Sequence, residues 1–472
     1  MTDATAPAGS HRAPGRGPAG GPVSEPVREP ARLPGNAHPL PPATVDKLTD
    51  DLVEAFGAAA VRRDHAGRLS ASTDWAHMSP VLAPLLPGGV ADVVVFPRDA
   101  AGIALAVALA HRRRVPVTPR GQGTGNYGQG IPLYGGMVLD TSRATTIHAV
   151  TDGAVSADAG ASFVALEKAA RVRGQELAIL PSTVGSTLGG FIAGGSGGTG
   201  SLANGAIWTG YLHELRVAAC TDEPRLHSVP YPENTAMAHA FGVSGVIAGA
   251  TVALRPAVPW TALFAAFDTL ERAAAAGEAL FELAPTPRLV SLDEPGITET
   301  YRPADRAMPP GAVSLRAIVS VDSVEAAGRI VAGHGGTVTD VRANGPALLA
   351  SLSYNHVTHR VRKLRPELTH LQCMGRGLVH RRAEVAATVP DSLVHLEGFD
   401  IGGSRTWVGM LFTRFVDTPS LYAGMDALAA VEVDVDDPHT WVLHHDRLDG
   451  VRAAARRFDP DGLLNPGKLP PA

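Results

Sequence analysis

Alternating apolar and polar stretches predict a chain of mixed helices and strands. The stretch VADVVVFPRDAAGIALAVALAHRRRVPVTPRG, residues 90–121, predicts a strand, a helix capped by Asp99 and a second strand. GGMVLDTS, AVSADAG and LHELRVAAC predict strands, SFVALEKAARVRG predicts a helix ended by Gly174, and residues 43–56 predict another helix. Residues 260–441 alternate strand and helix patterns without glycine clusters.

A glycine-rich loop, VPVTPRGQGTGNYGQGIP, occupies residues 115–132. Glycine allows positive φ and close approach of the backbone to a ligand, so successive N–H groups can form an anion-binding nest. Arg120 and the Thr124 hydroxyl would add charge and a donor. A dinucleotide fingerprint, G-x-G-x-x-G, is disfavoured because Asn126 replaces its third glycine and no helix can begin among the glycines that follow. For this segment alone, a flexible surface loop is the alternative.

A second glycine cluster, ILPSTVGSTLGGFIAGGSGGTGS, spans residues 179–201 and carries too many glycines for a stable helix interior. The two loops, about sixty residues apart, together favour one extended ligand with a pyrophosphate, held by backbone from both sides. Residues 242–247, GVSGVI, fit the same interpretation and precede a predicted strand, TVALRPA.

In this order the motifs resemble the FAD-binding domain of the PCMH-type flavoprotein family, which includes vanillyl-alcohol oxidase, p-cresol methylhydroxylase and berberine-bridge-type enzymes. The ending FDPDGLLNPGKLPP, residues 458–471, is similar to the family's C-terminal motif. The resemblance covers residues 46–260 and 442–472, and each motif alone would be weak evidence.

The resemblance implies an α+β fold in two domains. Residues 44–259 would form an FAD-binding domain of two α/β subdomains, and residues 260–441 a substrate domain with an antiparallel sheet. Residues 442–472 would return to the FAD domain. Residues 1–43, rich in proline and glycine, predict a disordered tail.

The resemblance also assigns cofactor contacts to residues in both loops, the G-V-I segment and the C-terminal motif. These are Pro119, Arg120, Gly121, Gln122, Gly123, Thr124, Gly125, Asn126, Gln129, Pro181, Ser182, Gly185, Ser186, Thr187, Gly189, Gly190, Ile192, Ala193, Gly194, Gly195, Gly198, Gly245, Val246, Ile247, Asn465 and Lys468.

Thr124 and Leu180 stand where berberine-bridge-type members attach the flavin covalently through a histidine and a cysteine. Neither side chain can form that bond, so we expect noncovalent FAD. Some relatives attach the flavin through a histidine of the second domain or the C-terminal region, which leaves His444 and His445 open as attachment points.

Members of the family oxidise substrates by hydride transfer to flavin N5 while a base removes a proton. His444 and His445 are the first candidates for the base, and the alternative for His444 is a supporting histidine bonded to Asp446. His356 is the second candidate. His356 and His359 are three residues apart and would also suit a metal pair, but no further ligands are visible, so we expect no metal.

Composition narrows the class of protein. A hydrophobic fraction of 45% in 472 residues can fill more than one core, and a net charge of −5 argues against nucleic-acid binding. No membrane span or signal peptide is predicted, and the two cysteines, Cys220 and Cys373, are expected to be buried free thiols of a reducing compartment, which favours the cytoplasm.

We therefore expect an FAD-linked oxidoreductase, an oxidase or a dehydrogenase, acting on an alcohol or a 2-hydroxy acid. Its expected partners are a small-molecule substrate, oxygen or another electron acceptor, and a second copy of the chain as a homodimer. The alternative function is a catalytically silent flavin-binding paralogue with a binding or structural role.

Overall fold

The computed structural model describes residues 39–86, 89–301 and 306–471. Within these residues the strands form three sheets, of four, six and eight strands. This arrangement confirms the predicted α+β fold. Most of the predicted tail, residues 1–38, lies outside the described residues, and the first helix begins at Pro42.

The first sheet has the strand order β1-β2-β4-β3, and β4 pairs in parallel with both β2 and β3. The predicted strand–helix–strand unit of residues 90–121 is present here. Asp99 Oδ1 accepts from the Gly102 amide at 2.7 Å, which confirms the predicted cap. The elements of this part are α1 (Pro42–Phe56), β1 (Val61–Arg62), α2 (His65–Ala71), β2 (Val93–Val95), α3 (Ala100–Arg112), β3 (Val117–Arg120) and β4 (Met137–Asp140).

The second sheet is antiparallel and has the order β5-β6-β10-β8-β9, with β7 paired to β10. Its apolar face packs on α4 and α5. The elements are β5 (Ile147–Thr151), β6 (Ala154–Asp158), α4 (Phe163–Arg171), β7 (Gln175–Leu177), α5 (Leu188–Gly194), α6 (Ser201–Asn204), β8 (Leu212–Ala218), β9 (Leu226–Pro230) and β10 (Val246–Pro256).

The third sheet is antiparallel, with the order β14-β11-β13-β12-β16-β17-β15-β18, and we call it the cap sheet. Its largest core lies between the strands and helices α7, α9, α12, α13 and α14. The elements are β11 (Trp260–Phe267), α7 (Leu270–Phe281), β12 (Leu289–Asp293), α8 (Pro295–Thr298), β13 (Val313–Ser320), α9 (Val324–Gly333), β14 (Thr337–Arg342), α10 (Pro346–Ala350), α11 (Asn355–Leu364), β15 (Leu368–Met374), α12 (Gly377–His380), α13 (Arg382–Thr388), β16 (Leu393–Ile401), β17 (Ser404–Arg414), α14 (Thr418–Leu428) and β18 (Asp434–Asp436).

The last helix, α15 (Leu448–Phe458), and the residues after it pack on the first two sheets. Phe458 belongs to the core of the second sheet, and its carbonyl accepts from the Cys220 amide at 2.7 Å. Leu464 forms a bridge with Val117 of β3. The chain therefore ends against the strand that leads into the first glycine-rich loop.

The expectation that residues 179–201 contain no stable helix is wrong, because α5 runs through Gly189, Gly190 and Gly194. Packing overrides the low helix propensity of glycine here. A Cβ at Gly189 would lie 2.8 Å from the Ala159 Cβ, so only glycine lets the helix approach β6 this closely. The first loop behaves as predicted, with no helix in the described residues between β3 and β4.

Among the described residues, no helix combines the length and the apolar character that crossing a bilayer requires.

Candidate active site

A cavity of about 970 Å³, the central cavity, lies between the glycine-rich loops and the cap sheet. One side is formed by the loops of residues 119–130 and 181–197, together with residues 239–247. The opposite side is formed by β15, β16, β17 and β18 of the cap sheet, the start of α11 and residues 443–447. The two loops identified from the sequence therefore face one shared space.

Most of the predicted cofactor-binding residues line the central cavity. The lining members are Pro119, Arg120, Gly121, Gln122, Gly123, Thr124, Gly125, Asn126, Gln129, Pro181, Ser182, Ser186, Thr187, Gly189, Gly190, Ala193, Gly194, Gly195 and Ile247. The remaining predicted members, which are not part of the wall, are Gly185, Ile192, Gly198, Gly245, Val246, Asn465 and Lys468.

The first loop has the backbone conformation that its glycines predict. Gly123 adopts φ +65°, and a Cβ there would lie 2.0 Å from Arg120 Nη2. The Arg120 guanidinium itself donates to the carbonyls of Ala71 and Thr73, at 3.1 and 2.5 Å. Arg120 thus fixes the loop to the end of α2 through its side chain.

The two loops contact each other directly. A Cβ at Gly121 would lie 2.1 Å from Thr187 Oγ1, and this hydroxyl accepts from the Gly190 amide at 3.2 Å. Ser186 Oγ and Asn126 Oδ1 are buried in the cavity wall and have no hydrogen-bond partner among the described residues. Buried polar atoms are normally paired, so these two atoms fit a ligand with several hydrogen-bonding groups, such as the pyrophosphate and ribityl portions of FAD.

Two C-terminal residues support the first loop from behind. Asn465 Nδ2 donates to the carbonyls of Gln129 and Phe241, at 2.8 and 2.7 Å. Lys468 is fully buried and donates to the carbonyl of Gly128. Burial lowers the pKa of Lys468 to about 7. These contacts position the loop backbone, and direct cofactor contact by the two residues stays a prediction.

His444 lies in the cavity wall with both ring nitrogens engaged. Nε2 is 2.8 Å from Asp436 Oδ1 and Nδ1 is 3.1 Å from the Val442 carbonyl. Although desolvation opposes it, the hydrogen bond and charge of Asp436 raise the pKa of His444 to about 9. His444 is therefore a cation at neutral pH, which is unfavourable for the predicted role of a neutral base.

His445 also lines the cavity but is held by backbone on both sides. Its Nε2 lies 3.2 Å from the His239 carbonyl, and its Nδ1 accepts from the Arg447 amide at 3.2 Å. Burial lowers the pKa of His445, and this pair of bonds suits a neutral ring that donates through Nε2. The alternative predicted for His444 named Asp446 as its partner, whereas the carboxylate bonded to His444 is that of Asp436.

His356 and His359 of α11 have different positions. His359 lines the cavity, with its ring 4.7 Å from that of Trp75, whereas His356 does not line it. Burial lowers the pKa of His359 to about 4. In the described ranges no group of three or more His, Cys, Asp or Glu side chains is arranged to hold a metal ion.

The sequence analysis missed an ionisable network at the cap sheet. His395 and Glu397 of β16 belong to the cavity wall and are almost fully buried. His395 lies between Asp293 Oδ1 and Glu397 Oε1, at 2.6 and 2.9 Å. The available signal was two ionisable residues, two apart, in the otherwise apolar run LVHLEGF.

Comparison with known proteins finds sequence similarity over part of the chain. Residues 91–223 match the family described as an FAD binding domain. An uncharacterized oxidoreductase, ORF5 in the fasciation locus of Rhodococcoides fascians, is 32% identical over 168 residues, 35% of this chain and 38% of the relative. D-lactate dehydrogenase of Archaeoglobus fulgidus is 29% identical over 189 residues, 38% of this chain and 43% of the relative.

Glycolate oxidase subunit GlcD of Escherichia coli K12 is 29% identical over 191 residues, 38% of either chain. The chain thus matches less than half the length of each of these relatives. A solved structure of alkyldihydroxyacetonephosphate synthase superposes with a TM-score of 0.69 at 16% identity, over 90% of this chain and 85% of that chain. This structural likeness confirms the fold.

Proposed function

We propose that this chain is a member of the PCMH-type FAD-binding family with FAD as its cofactor, and that it is an oxidoreductase that oxidises an alcohol or a 2-hydroxy acid; the match of residues 91–223 to an FAD binding domain supports this. The central cavity carries the proposal, since one wall is made by both glycine-rich loops and the other by ionisable side chains of the cap sheet. Bound FAD supplies the acceptor for a hydride. The protein supplies the groups that bind and orient the substrate and accept its proton.

The glycine-rich loops are proposed to hold the cofactor mainly through backbone amides, with Ser186 and Asn126 contributing their unpartnered polar atoms. Noncovalent binding is part of the proposal. Thr124 lines the cavity and Leu180 precedes its lining residue Pro181, and neither side chain offers a ring nitrogen or a thiol to the flavin.

His444 is proposed to act in its charged form. A cation fixed by Asp436 at the cavity wall can stabilise negative charge on a bound group without reorganising. A role in stabilising charge differs from the role of a proton-accepting base that the sequence suggested, although either role requires His444 to lie at the cavity wall.

The charges of the wall favour an uncharged alcohol over a 2-hydroxy acid. Its two arginines are already engaged. Arg120 bonds backbone carbonyls, and Arg447 stacks on Trp208 at 3.6 Å and donates to the Ala238 carbonyl. Carboxylates outnumber these arginines in the described wall, and they are Asp74, Glu397, Asp400, Asp434, Asp436, Asp437 and Asp446. A substrate carboxylate would meet like charge, and both guanidinium groups already donate to backbone carbonyls, although Arg447 Nε has no hydrogen-bond partner among the described residues.

The proposal includes oxygen or another acceptor for reoxidation, a homodimer, and a cytoplasmic location. The last point is supported by Cys220 and Cys373, which are buried free thiols.

Anaerobic reduction of the bound flavin tests the proposal. The purified holoprotein is mixed without oxygen with D-lactate, with glycolate and with a panel of uncharged primary and secondary alcohols, and the flavin absorbance is followed. We expect at least one compound to bleach the flavin, and air to restore the colour if oxygen is the acceptor. A flavin that dithionite reduces but no panel compound does would favour the silent paralogue.

A further inference from the structure

The buried network at the cap sheet includes a carboxylate oxygen, Glu397 Oε2, that no other group of the network bonds. Glu397 is 2% exposed, and its Oε1 accepts from His395 Nε2 at 2.9 Å and from the Tyr354 amide at 3.1 Å. Its Oε2 is buried and has no hydrogen-bond partner among the described residues. A carboxylate with two donors on one oxygen and none on the other is incompletely satisfied, and Glu397 belongs to the cavity wall.

The rest of the network fixes Glu397 from behind. Asp293 accepts from His395 through Oδ1, and its Oδ2 accepts from the Tyr301 hydroxyl at 2.7 Å and pairs with Arg316. Since both ring nitrogens of His395 face carboxylates, the ring is a cation, and these carboxylates raise its pKa to about 9. The imidazole cannot rotate without breaking a charged hydrogen bond.

Tyr354 holds the network at a cost in backbone strain. It adopts φ +50° and ψ −138°, a backbone conformation that residues other than glycine rarely take. Its amide donates to Glu397, and its hydroxyl donates to the Gly198 carbonyl at 2.9 Å. Strain of this kind persists where the surroundings over-determine a residue, which is common beside reacting groups. Tyr354 thus links the cap sheet to the second glycine-rich loop.

A contribution to folding stability does not by itself explain why a buried cluster of charged side chains is present at the cap sheet. Buried charges lose hydration, and well-packed apolar residues of similar volume are often as stabilising or more so. We infer that Glu397 is a catalytic residue, whose Oε2 accepts the proton of the substrate hydroxyl, with His395 and Asp293 as positioning residues. This inference rests on the proposed function.

The step is balanced. The substrate O–H bond breaks and its proton bonds to Glu397 Oε2, while the C–H bond of the same carbinol breaks and the hydrogen leaves with its electron pair. A carbonyl bond forms between the two atoms, so the substrate loses two electrons. FAD held by the glycine-rich loops would supply the two-electron acceptor for this hydride. Burial raises the pKa of Glu397, which brings a carboxylate nearer to the range in which it works as a base. The charged or titratable groups around it are His395 on its own strand, Arg316 of β13 and Tyr354.

The test compares Glu397→Gln with wild type as holoproteins in anaerobic stopped flow. Glu397→Gln should keep its FAD and its reduction by dithionite, but its reduction by the substrate found for wild type should slow by on the order of a hundredfold or more. The wild-type rate should rise with pH as Glu397 ionises, and this rise should be absent in the variant. Glu294→Gln is the matched control, because Glu294 pairs with Arg382 and does not line the cavity.

A second variant covers a failure of Glu397→Gln to fold or to bind FAD. In Glu397→Ala, added formate should restore part of the lost rate, which a purely structural role would not allow. Wild-type flavin that no alcohol or hydroxy acid reduces would overturn the proposed function and this inference with it. Two results would overturn the inference and leave the proposed function standing. One is a rate of flavin reduction by substrate in Glu397→Gln within threefold of the wild-type rate. The other is a folded Glu397→Ala holoprotein that formate does not rescue.

Discussion

The imidazole of His444 lies 2.8 Å from the Asp436 carboxylate, and this contact decides the charge that His444 brings to the central cavity. The two residues are eight positions apart, on β18 and in the loop before α15. With the Val442 carbonyl on its other nitrogen, the ring is held as a double donor. A side chain held in this way is suited to stabilising negative charge and unsuited to accepting a proton at neutral pH.

The Asp436→Asn variant tests the charge of His444. If the cation is the active form, the wild-type rate of flavin reduction should fall as pH rises through about 9, the raised pKa of His444. Without the carboxylate that raises it, the pKa should return toward 6.5, so the fall should move to lower pH. Stopped-flow rates between pH 5.5 and 10 provide the measurement. A wild-type rate that instead rises through about pH 9, with a rise that Asp436→Asn moves to lower pH, would identify His444 as the base.

His444→Ala should leave FAD bound, because the glycine-rich loops proposed to hold the cofactor are separate from residue 444. Reduction by the substrate should slow by on the order of a hundredfold, since a fixed charge at the reacting end is lost. FAD content is read from the absorbance of the purified protein. Unchanged kinetics of flavin reduction would show that His444 lines the cavity without taking part in the reaction.

Acid denaturation should release all of the FAD into the supernatant. Thr124 and Leu180 occupy the positions at which berberine-bridge-type members of the family bond the flavin covalently, and neither side chain can form such a bond. The absorbance of the supernatant and of the precipitate after trichloroacetic acid treatment measures the distribution. A yellow precipitate would point to a covalent bond elsewhere, with the lining residues His444, His445 and His239 as the positions to examine first by peptide mass analysis.

Gly123→Val should abolish FAD binding. Gly123 has φ +65°, and an added Cβ would lie 2.0 Å from the guanidinium of Arg120, which anchors the first loop. Gly153→Val is the matched control, because Gly153 has φ +76° in the turn between β5 and β6 with open space around it. The control should lose about 1–2 kcal/mol of stability from the left-handed conformation but keep its cofactor. Stoichiometric FAD in a stable Gly123→Val protein would contradict the assignment of the loop.

His395 should make the free energy of unfolding depend on pH in the neutral to alkaline range. Its pKa is about 9 in the folded protein against 6.5 in its ordinary state, so its ion pairs contribute fully below pH 6.5. This contribution is lost as pH rises through 9. Wild type should exceed His395→Gln in melting temperature most at pH 6, and the difference should shrink by pH 9.5. Calorimetry at both pH values measures it, and a constant difference would show that His395 is not a buried cation.

Uncharged alcohols should be better substrates than the matching acids. The comparison of 1,2-propanediol with lactate, and of ethylene glycol with glycolate, changes the carboxylate and keeps the carbon skeleton. A higher kcat/KM for each diol is expected, because carboxylates outnumber arginines in the described wall and both arginines already donate to backbone carbonyls. A preference for both acids would mean that a cation, with His444 the first candidate, binds the substrate carboxylate.

The sequence by itself determined the local features of this protein. Glycine at position 123 permits the positive φ that the loop requires, and Asp99 caps the helix before which it stands, because both effects depend on neighbouring backbone alone. The order of the glycine-rich motifs along the chain was sufficient to predict the α+β fold and an FAD binding domain, which residues 91–223 match. Local propensity failed at α5, where close packing on Ala159 stabilises a helix rich in glycine.

The tertiary structure decided which ionisable groups meet in the cavity and in which charge state. His356 and His359 share a helix, and only the packing of α11 placed His359 at the wall. Glu397 and Asp293 are far apart in the chain, yet pairing of β12 with β16 joins them through His395. Charge state depends on burial and on partners brought from other strands, and no local pattern in the sequence specifies those distances.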